Sequence, residues 1–334
     1  MSFEESLFDI TIVGGGPVGL YTAFYAGLRN ARTKIIESLE CLGGQPAHLY
    51  AEKNIYDIPG YPAIRGDELE RNLIQQISRF DISIQLGEEV LNANKKMTED
   101  GIEYFEIITS EQIHYSRTII LAIGNGAFSP RKLKLPEIEK YEESNLHYYV
   151  NNIEQFTGRT VAICGGGDSA VDWALALEPL ANKVHLIHRR DKFRAVESSV
   201  KQLENSTVEL LTPFIPESVN GDDSRIQSIN LKKAKSDEII TLDVDNFIVS
   251  YGFTSSIGEI RNWGFNLNRN TIEVNAQYET NITGIYAVGD IANYEGKVRI
   301  IATGFGEAPQ AVNDALLKID PTNVNPPIHS SDLF

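Results

Sequence analysis

Short runs of β-branched and aromatic residues alternate along this chain with longer stretches whose apolar positions recur at helical spacing. That alternation predicts a parallel sheet flanked by helices. The first run, Ile10, Ile12 and Val13 in FDITIV, leads straight into a helical pattern from Pro17 to Leu28. Leu20, Ala23, Phe24, Gly27 and Leu28 form its apolar face, and TKIIE, ending at Glu37, closes a strand–helix–strand unit. SLECLGGQPAHLY reads as a loop just past that strand. A helix is then expected with Asp67 as its N-cap and Leu69, Leu73, Ile74 and Ile77 as its buried stripe. ISIQL, EEVLNA, EYFEIITS and QIHYS alternate with polar breaks, which predicts an antiparallel sheet laid over the first unit. RTIILAIGNGA reads as a separate buried strand whose exit, at Gly124 and Gly126, is a candidate domain crossing.

The opening pattern then repeats. TVAIC is a strand, DSAVDWALAL a helix stopped near Glu178 by Pro179, and KVHLI the next strand. Residues 207–250 read as further strands, and NFIVSYGFTSS mirrors the first crossing. GIYAVGDIA returns as a buried strand, and a helix over Ala308 to Leu317 is expected to follow Gly304 and Gly306. The resulting expectation is an α/β chain of two Rossmann-like three-layer domains. One is formed by residues 1–122 and 253–334, and the other, residues 123–252, is inserted into it.

Both repeats carry glycines where chemistry needs them. In the first, Gly14 permits a tight turn, Gly16 lets backbone approach a pyrophosphate, and Gly19 lets helix and strand pack closely. Pro17 occupies a first helical turn, where its missing N–H has no partner to lose. The helix N-terminus offers amides and a positive dipole end to phosphates. Glu37, at the end of the second strand, suits a ribose diol. Gly43 and Gly44 allow close approach of something flat or large, and Gln45 and Tyr50 offer an amide and a ring; the alternative is an ordinary surface loop. The second repeat has Gly165, Gly167 and Ala170 in G-x-G-x-x-A form, with Asp168 and Ser169 between them. Its second strand ends in His188, Arg189 and Arg190, with Arg194 close behind. Guanidinium groups suit a 2′-phosphate, so this unit points to NADP(H) rather than NAD(H); a solvated basic turn is the bland alternative. Two such units together imply FAD on the Glu37 side and NADP(H) on the arginine side. Asp290, at a strand end, is placed to accept from the ribityl chain of FAD or to cap a helix. The helix after it aims its N-terminal dipole at a reduced flavin ring.

Composition narrows the reading. The formal charge of −16 argues against nucleic acid as a partner. No apolar run of about eighteen residues is present, so no membrane helix is expected. MSFEESLFDI lacks a basic n-region and a long apolar h-region, so a cytoplasmic location is expected. The two cysteines, Cys41 and Cys164, have no metal-ligand spacing and form no disulfide framework, so no metal is expected.

GGGPVGL with Glu37, LGGQ, GGGDSAVDWA, HRRDKFRA and YAVGD together resemble the low-molecular-weight thioredoxin reductase family over nearly the whole chain. One departure matters. That family carries a C-x-x-C pair just before the second nucleotide fingerprint, where this chain has HYYVNNIEQF. Without a dithiol, electrons cannot pass from flavin to a disulfide by thiol exchange. This loss, the HSSDLF tail and the GNGAFSPRKL segment make the chain similar to the thioredoxin reductase-like ferredoxin–NADP+ reductases of bacteria.

The resemblance implies a homodimer with one non-covalent FAD per subunit. It implies hydride exchange between NADP(H) and flavin N5, and single-electron exchange with ferredoxin or flavodoxin. By position it assigns Tyr50 to one flavin face and His329, from the partner subunit's tail, to the other. Glu37, Gln45, Val90, Phe128, Asp290 and Ser331 match its other FAD contacts. No acid or base is required of the protein. An acidic carrier would need a basic patch, for which Arg131, Lys132 and Lys134, or Lys95 and Lys96, are the candidates, each with solvated surface charge as its alternative. Three rival readings remain: a disulfide reductase borrowing a partner's dithiol, an NADPH oxidase or flavin reductase, and a nucleotide-binding redox sensor without turnover.

Overall fold

The computed structural model describes residues 3–49, 51, 53–142, 144–150, 152–322 and 330–332. The chain forms two compact units, Met1–Phe128 with Ser255–Phe334, and Ser129–Thr254, so the second is inserted into the first.

In the first unit, β1 (Leu7–Val13), α1 (Pro17–Leu28) and β2 (Thr33–Ile36) form the expected strand–helix–strand. A short helix, α2 (Gly44–Leu49), stands where the sequence suggests only loop. α3 (Gly66–Ile77) buries Leu69, Leu73 and Ile77 as expected, but Arg65 occupies its N-cap position. The Asp67 carboxylate instead pairs with Arg65 at 3.0 Å and Arg71 at 2.9 Å, so the two guanidinium groups outcompete the backbone for it.

β3 (Ser83–Gln85), β4 (Val90–Met97), β5 (Glu103–Thr109) and β6 (Ile113–Leu121) do not make a separate overlying sheet. β3 extends the sheet by pairing parallel to β2, and β6 pairs parallel to β1. QIHYS and RTIIL are thus one strand rather than two. β4 and β5 continue from β6 in antiparallel register. The order is β3-β2-β1-β6-β5-β4. Ile10 and Ile12 of β1 face a core shared with α1 and α3, while Val13 faces a second core containing Ile36, Val90 and Phe105. Burial on both faces is why this strand reads as a nearly unbroken apolar run.

A buried polar chain crosses the second face. Lys34 Nζ lies 2.8 Å from His114 Nδ1, and His114 Nε2 lies 2.8 Å from Glu88 Oε2. Thr109 and Gln112 also donate to the Glu88 carboxylate, at 2.8 and 2.7 Å. Burial pushes Lys34 and His114 down. At Glu88 burial works upward but is outweighed by the hydrogen bonds from His114, Gln112 and Thr109, and the carboxyl ends below its ordinary range. All three groups bind protons less readily folded than unfolded, so stability rises with pH. The His114 contribution is present above the ordinary imidazole value of 6.5 and is lost as pH falls below it. The melting temperature is therefore expected to fall by about 3 °C between roughly pH 7 and pH 5. His114→Gln should flatten that slope in a thermal-shift series; an unchanged slope would separate the chain from acid sensitivity.

The chain leaves through β7 (Ala127–Pro130). In the second unit, β8 (Leu146–His147), β9 (Thr160–Gly165), α4 (Asp168–Leu177), β10 (Lys183–Ile187), α5 (Glu197–Glu204) and β11 (Glu209–Leu211) come first. β12 (Phe214–Gly221), β13 (Ile226–Lys233) and β14 (Ile239–Asp243) form a separate antiparallel sheet. β15 (Asn246–Ser250) then completes a parallel sheet of order β8-β15-β9-β10-β11. Val161 and Ile163 face α4, and Ala162 and Cys164 face the antiparallel sheet, giving three layers. Glu178 caps α4 just before Pro179, as the sequence indicates.

β16 (Phe253–Ser256) returns the chain and pairs with β7. β17 (Ile285–Ala287) adds to the upper half of β6. The last helix, α6 (Ile301–Ile319), begins before Gly304 and Gly306 rather than after them. Gly304 is kept inside it because a Cβ there would stand 2.4 Å from Val18. Among the described residues no helix is long and apolar enough to cross a membrane.

Candidate dinucleotide sites

The first unit holds a cavity of about 380 Å³. It opens where β1, β2 and β6 end, the place where ligands bind in α/β sheets of this kind. Gly14, Gly16, Pro17, Glu37, Gln45, Val90 and Asp290, all singled out from sequence, line it. Gly19 supports it from behind: a Cβ there would fall 1.9 Å from the Gly14 carbonyl oxygen, so helix and turn close up only around glycine. Gly14 itself has φ +104°. Bonding within α1 starts with Leu20 N–H donating to Gly16 C=O at 2.9 Å, which leaves the Val18 and Gly19 amides of the first turn directed outward.

Glu37 is buried and works locally. It accepts from Gly15 N–H at 2.6 Å on Oε2, and from Leu39 N–H at 2.9 Å and Ser38 Oγ at 3.1 Å on Oε1. Oε2, with one donor, retains a lone pair for a ribose hydroxyl, while Oε1 is filled by its two donors. These bonds lock the glycine turn to the end of β2. Asp290 sits in a single helical turn, Gly289–Ile291, and Asn125 donates to it at 3.4 Å. It caps no longer helix. The N-terminus of α6, at Ile300 and Ile301, also lines the cavity.

A glycine cradle open at Gly16, two helix N-termini and a buried carboxylate make a donor and acceptor set suited to a nucleotide diphosphate with a ribose. The lining also includes Ser38, Leu39, Asp57, Glu89, Ile257 and Arg299, which the sequence did not single out. Gly124 and Gly126, read from sequence only as a domain crossing, line it as well. Phe128 stands on β7, and Ser331 is exposed in the short turn Ser330–Asp332. Tyr50, His329 and the Phe128 side chain lie outside what the structure describes.

In the second unit the same turn is laced to the basic segment. Arg194 N–H donates to Gly166 C=O at 2.7 Å, and Val196 N–H to the Asp168 carboxylate at 2.8 Å. Gly165 packs against Ser250 and Ala170, while Gly167 faces open space. Asp168, Ser169, Arg189, Arg190 and Arg194 are exposed around it. The His188 ring packs over Gly166, where a Cβ would meet Cε1 at 2.1 Å, and stacks on Phe193 at 5.4 Å. Burial, reinforced by Arg189 and Arg190, pushes this imidazole down, so it is neutral at neutral pH.

The cysteines lie in different units. Cys41 is exposed in the first; Cys164 is buried in the second. Burial pushes the Cys164 thiol up to about 12, although the Tyr251 hydroxyl 3.1 Å away partly opposes this. In the segment where thioredoxin reductases carry their cysteine pair, the Tyr148 hydroxyl accepts from Leu133 N–H at 3.1 Å and Tyr149 stacks on Phe253 at 5.4 Å. Of the candidate docking cations, Lys95, Lys96 and Lys132 are each paired with a glutamate, which weakens their claim. Among the described residues no cluster suited to a metal ion occurs.

Two strand–glycine turn–helix–strand units, one ending in an acid and the other in arginines, are the architecture of a two-dinucleotide oxidoreductase. The chain belongs to the pyridine nucleotide-disulphide oxidoreductase family, which it matches over residues 8–315. It is 56% identical over 334 residues to a protein of Listeria welshimeri named ferredoxin–NADP reductase 2, covering 100% of both chains. A protein of the same name from Bacillus pumilus is 54% identical, with 100% of this chain and 99% of that one covered. Among solved structures, thioredoxin reductase of Lactococcus lactis is similar with TM-score 0.73 and 28% identity, covering 93% of this chain and 99% of that one.

Proposed function

We infer that the protein is a ferredoxin–NADP reductase that binds FAD in the first unit and NADP(H) in the second. The observation that carries this over a disulfide reductase is the placement of one cysteine in each unit, with no pair to exchange thiols. Full-length identity to relatives of that name supports it. When bound, FAD accepts a hydride from NADPH and releases the electrons singly.

This chain's residues supply binding, orientation and charge. The first-turn amides of α1 hold the pyrophosphate beside Gly14 and Gly16, and Glu37 accepts from the adenosine ribose. Val90 and Phe128 line the adenosine and flavin, Gln45 and Asp290 bond the flavin part, and the N-terminus of α6 favours negative charge on the ring. Arg189, Arg190 and Arg194 grip the 2′-phosphate, with the Gly165–Ala170 turn, Asp168 and Ser169 against the pyrophosphate and neutral His188 holding the turn's shape. Tyr50 covers one flavin face, and His329 with Ser331 reach the other from the second subunit of a homodimer. Ferredoxin or flavodoxin takes the electrons, in the cytoplasm.

The test is single-turnover reduction of FAD-loaded protein by NADPH and by NADH, followed by ferredoxin. Rapid bleaching by NADPH alone, reversed rapidly by ferredoxin, is expected. Reoxidation by oxygen or a disulfide protein but not by ferredoxin would overturn the acceptor.

A further inference from the structure

The wall of the first unit's cavity rests on a buried ion pair that the phosphate cradle does not use. Glu307 lies on α6 with a side chain only 1% exposed. Its carboxylate takes three donors. Gly289 N–H donates to Oε2 at 2.7 Å, the Tyr294 hydroxyl donates to Oε1 at 2.6 Å, and the Lys297 ammonium reaches the same Oε1. The Lys297 side chain is itself 5% exposed and lies over the Tyr294 ring, 5.3 Å from its centroid. Among the described ion pairs, Lys297 has Glu307 as its one partner.

The three donors are spread along a single segment. It begins at the Gly289–Asp290 turn, which lines the cavity, and ends at Arg299 and Ile300, which line it again. One carboxylate therefore ties the segment that joins these two lining ends to the helix whose N-terminus faces the cavity. The pair is also electrically balanced. Removing one member of a buried pair leaves the other charge uncompensated where solvent cannot screen it.

We propose that Glu307 is a positioning residue for bound flavin: it holds the Gly289–Ile300 wall in shape and, by neutralising Lys297, sets the charge that the flavin experiences. The proposal rests on the flavin reading of this cavity. It goes beyond that reading because neither Glu307 nor Lys297 lines the cavity.

The test compares E307Q, K297M and E307Q/K297M by two measurements, the FAD dissociation constant and the midpoint potential of the bound flavin. E307Q keeps the shape of the side chain but leaves Lys297 positive and unpaired. It should raise the potential and weaken FAD by roughly tenfold, as the competent wall becomes less populated. K297M leaves Glu307 negative and should shift the potential the opposite way. The double variant should return it close to wild type. Shifts of the same sign in both single variants, or no shift in either, overturn the proposal, since loosened structure alone has no reason to follow the sign of the charge. Should E307Q not accumulate folded, the downward shift in K297M and its reversal in the double variant carry the test. Wild-type protein that takes up no FAD overturns the flavin reading itself. Wild-type protein that loads normally while the variants behave identically overturns only the role of Glu307.

Discussion

Gly16→Ala is expected to strip the protein of FAD while leaving it folded, whereas Gly19→Ala should cost both. The two glycines are three residues apart in one motif, but their surroundings differ. A Cβ on Gly16 would meet nothing nearer than Gly44 Cα at 3.7 Å, and its φ of −74° suits any residue. The methyl is harmless to the chain and projects into the space a pyrophosphate would occupy. Losing about two charge-assisted phosphate bonds, at about 1.5–3 kcal/mol each, corresponds to roughly a hundredfold or more in affinity. A Cβ on Gly19 would sit 1.9 Å from the Gly14 carbonyl oxygen, which cannot rotate away because it is backbone. Helix α1 would have to lift off β1, at a cost of about 3 kcal/mol or more. FAD titration together with thermal unfolding of the flavin-free proteins separates the cases. Equal destabilisation by both substitutions would contradict the geometry, and normal FAD affinity in Gly16→Ala would place the pyrophosphate elsewhere.

The Arg189→Ala/Arg190→Ala double variant should lose its preference for NADPH over NADH. Both side chains are exposed after the β10 strand, and the segment they open is held to the glycine turn by the Arg194–Gly166 and Val196–Asp168 bonds. The backbone is therefore preset and the guanidinium groups add the charge. Two phosphate contacts at a solvent-exposed site correspond to a rise of roughly a hundredfold in KM for NADPH. KM for NADH, which offers no 2′-phosphate, should stay within about twofold. The NADPH effect should also shrink with rising salt, as exposed charge interactions do. Unchanged discrimination between the two nucleotides would reduce these arginines to a solvated turn.

The nucleotide turns were legible because their chemistry is local. A strand, glycines at fixed offsets and a helix are consecutive in sequence, so Gly14, Gly16, Gly165 and Gly167 appear where the pattern puts them. So did Pro179 as a helix stop, since proline acts on its own neighbours. Asp67 was misread because the helix starts at Gly66, which puts Asp67 inside the first turn, where its carboxylate pairs with Arg65 and, one turn on, with Arg71 instead of capping the backbone. The start of α6 was misread because Gly304 looks like a helix breaker. Its purpose is close packing against Val18, a residue far away in the chain.

Residue order alone thus specified the α/β class, the two glycine turns, the acid and the arginines that end their strands, and the absence of a C-x-x-C pair. These depend on residue type and short spacing. That β3 to β6 extend one sheet, that both ends of the segment from Gly289 to Ile300 line the first cavity, and that Glu307 and Lys297 are buried against each other emerged only from the folded chain. Strand partners, cavity walls and buried charge pairs are settled by contacts between distant segments. The energy of such a contact depends on what else has been removed from water around it, which no local pattern records.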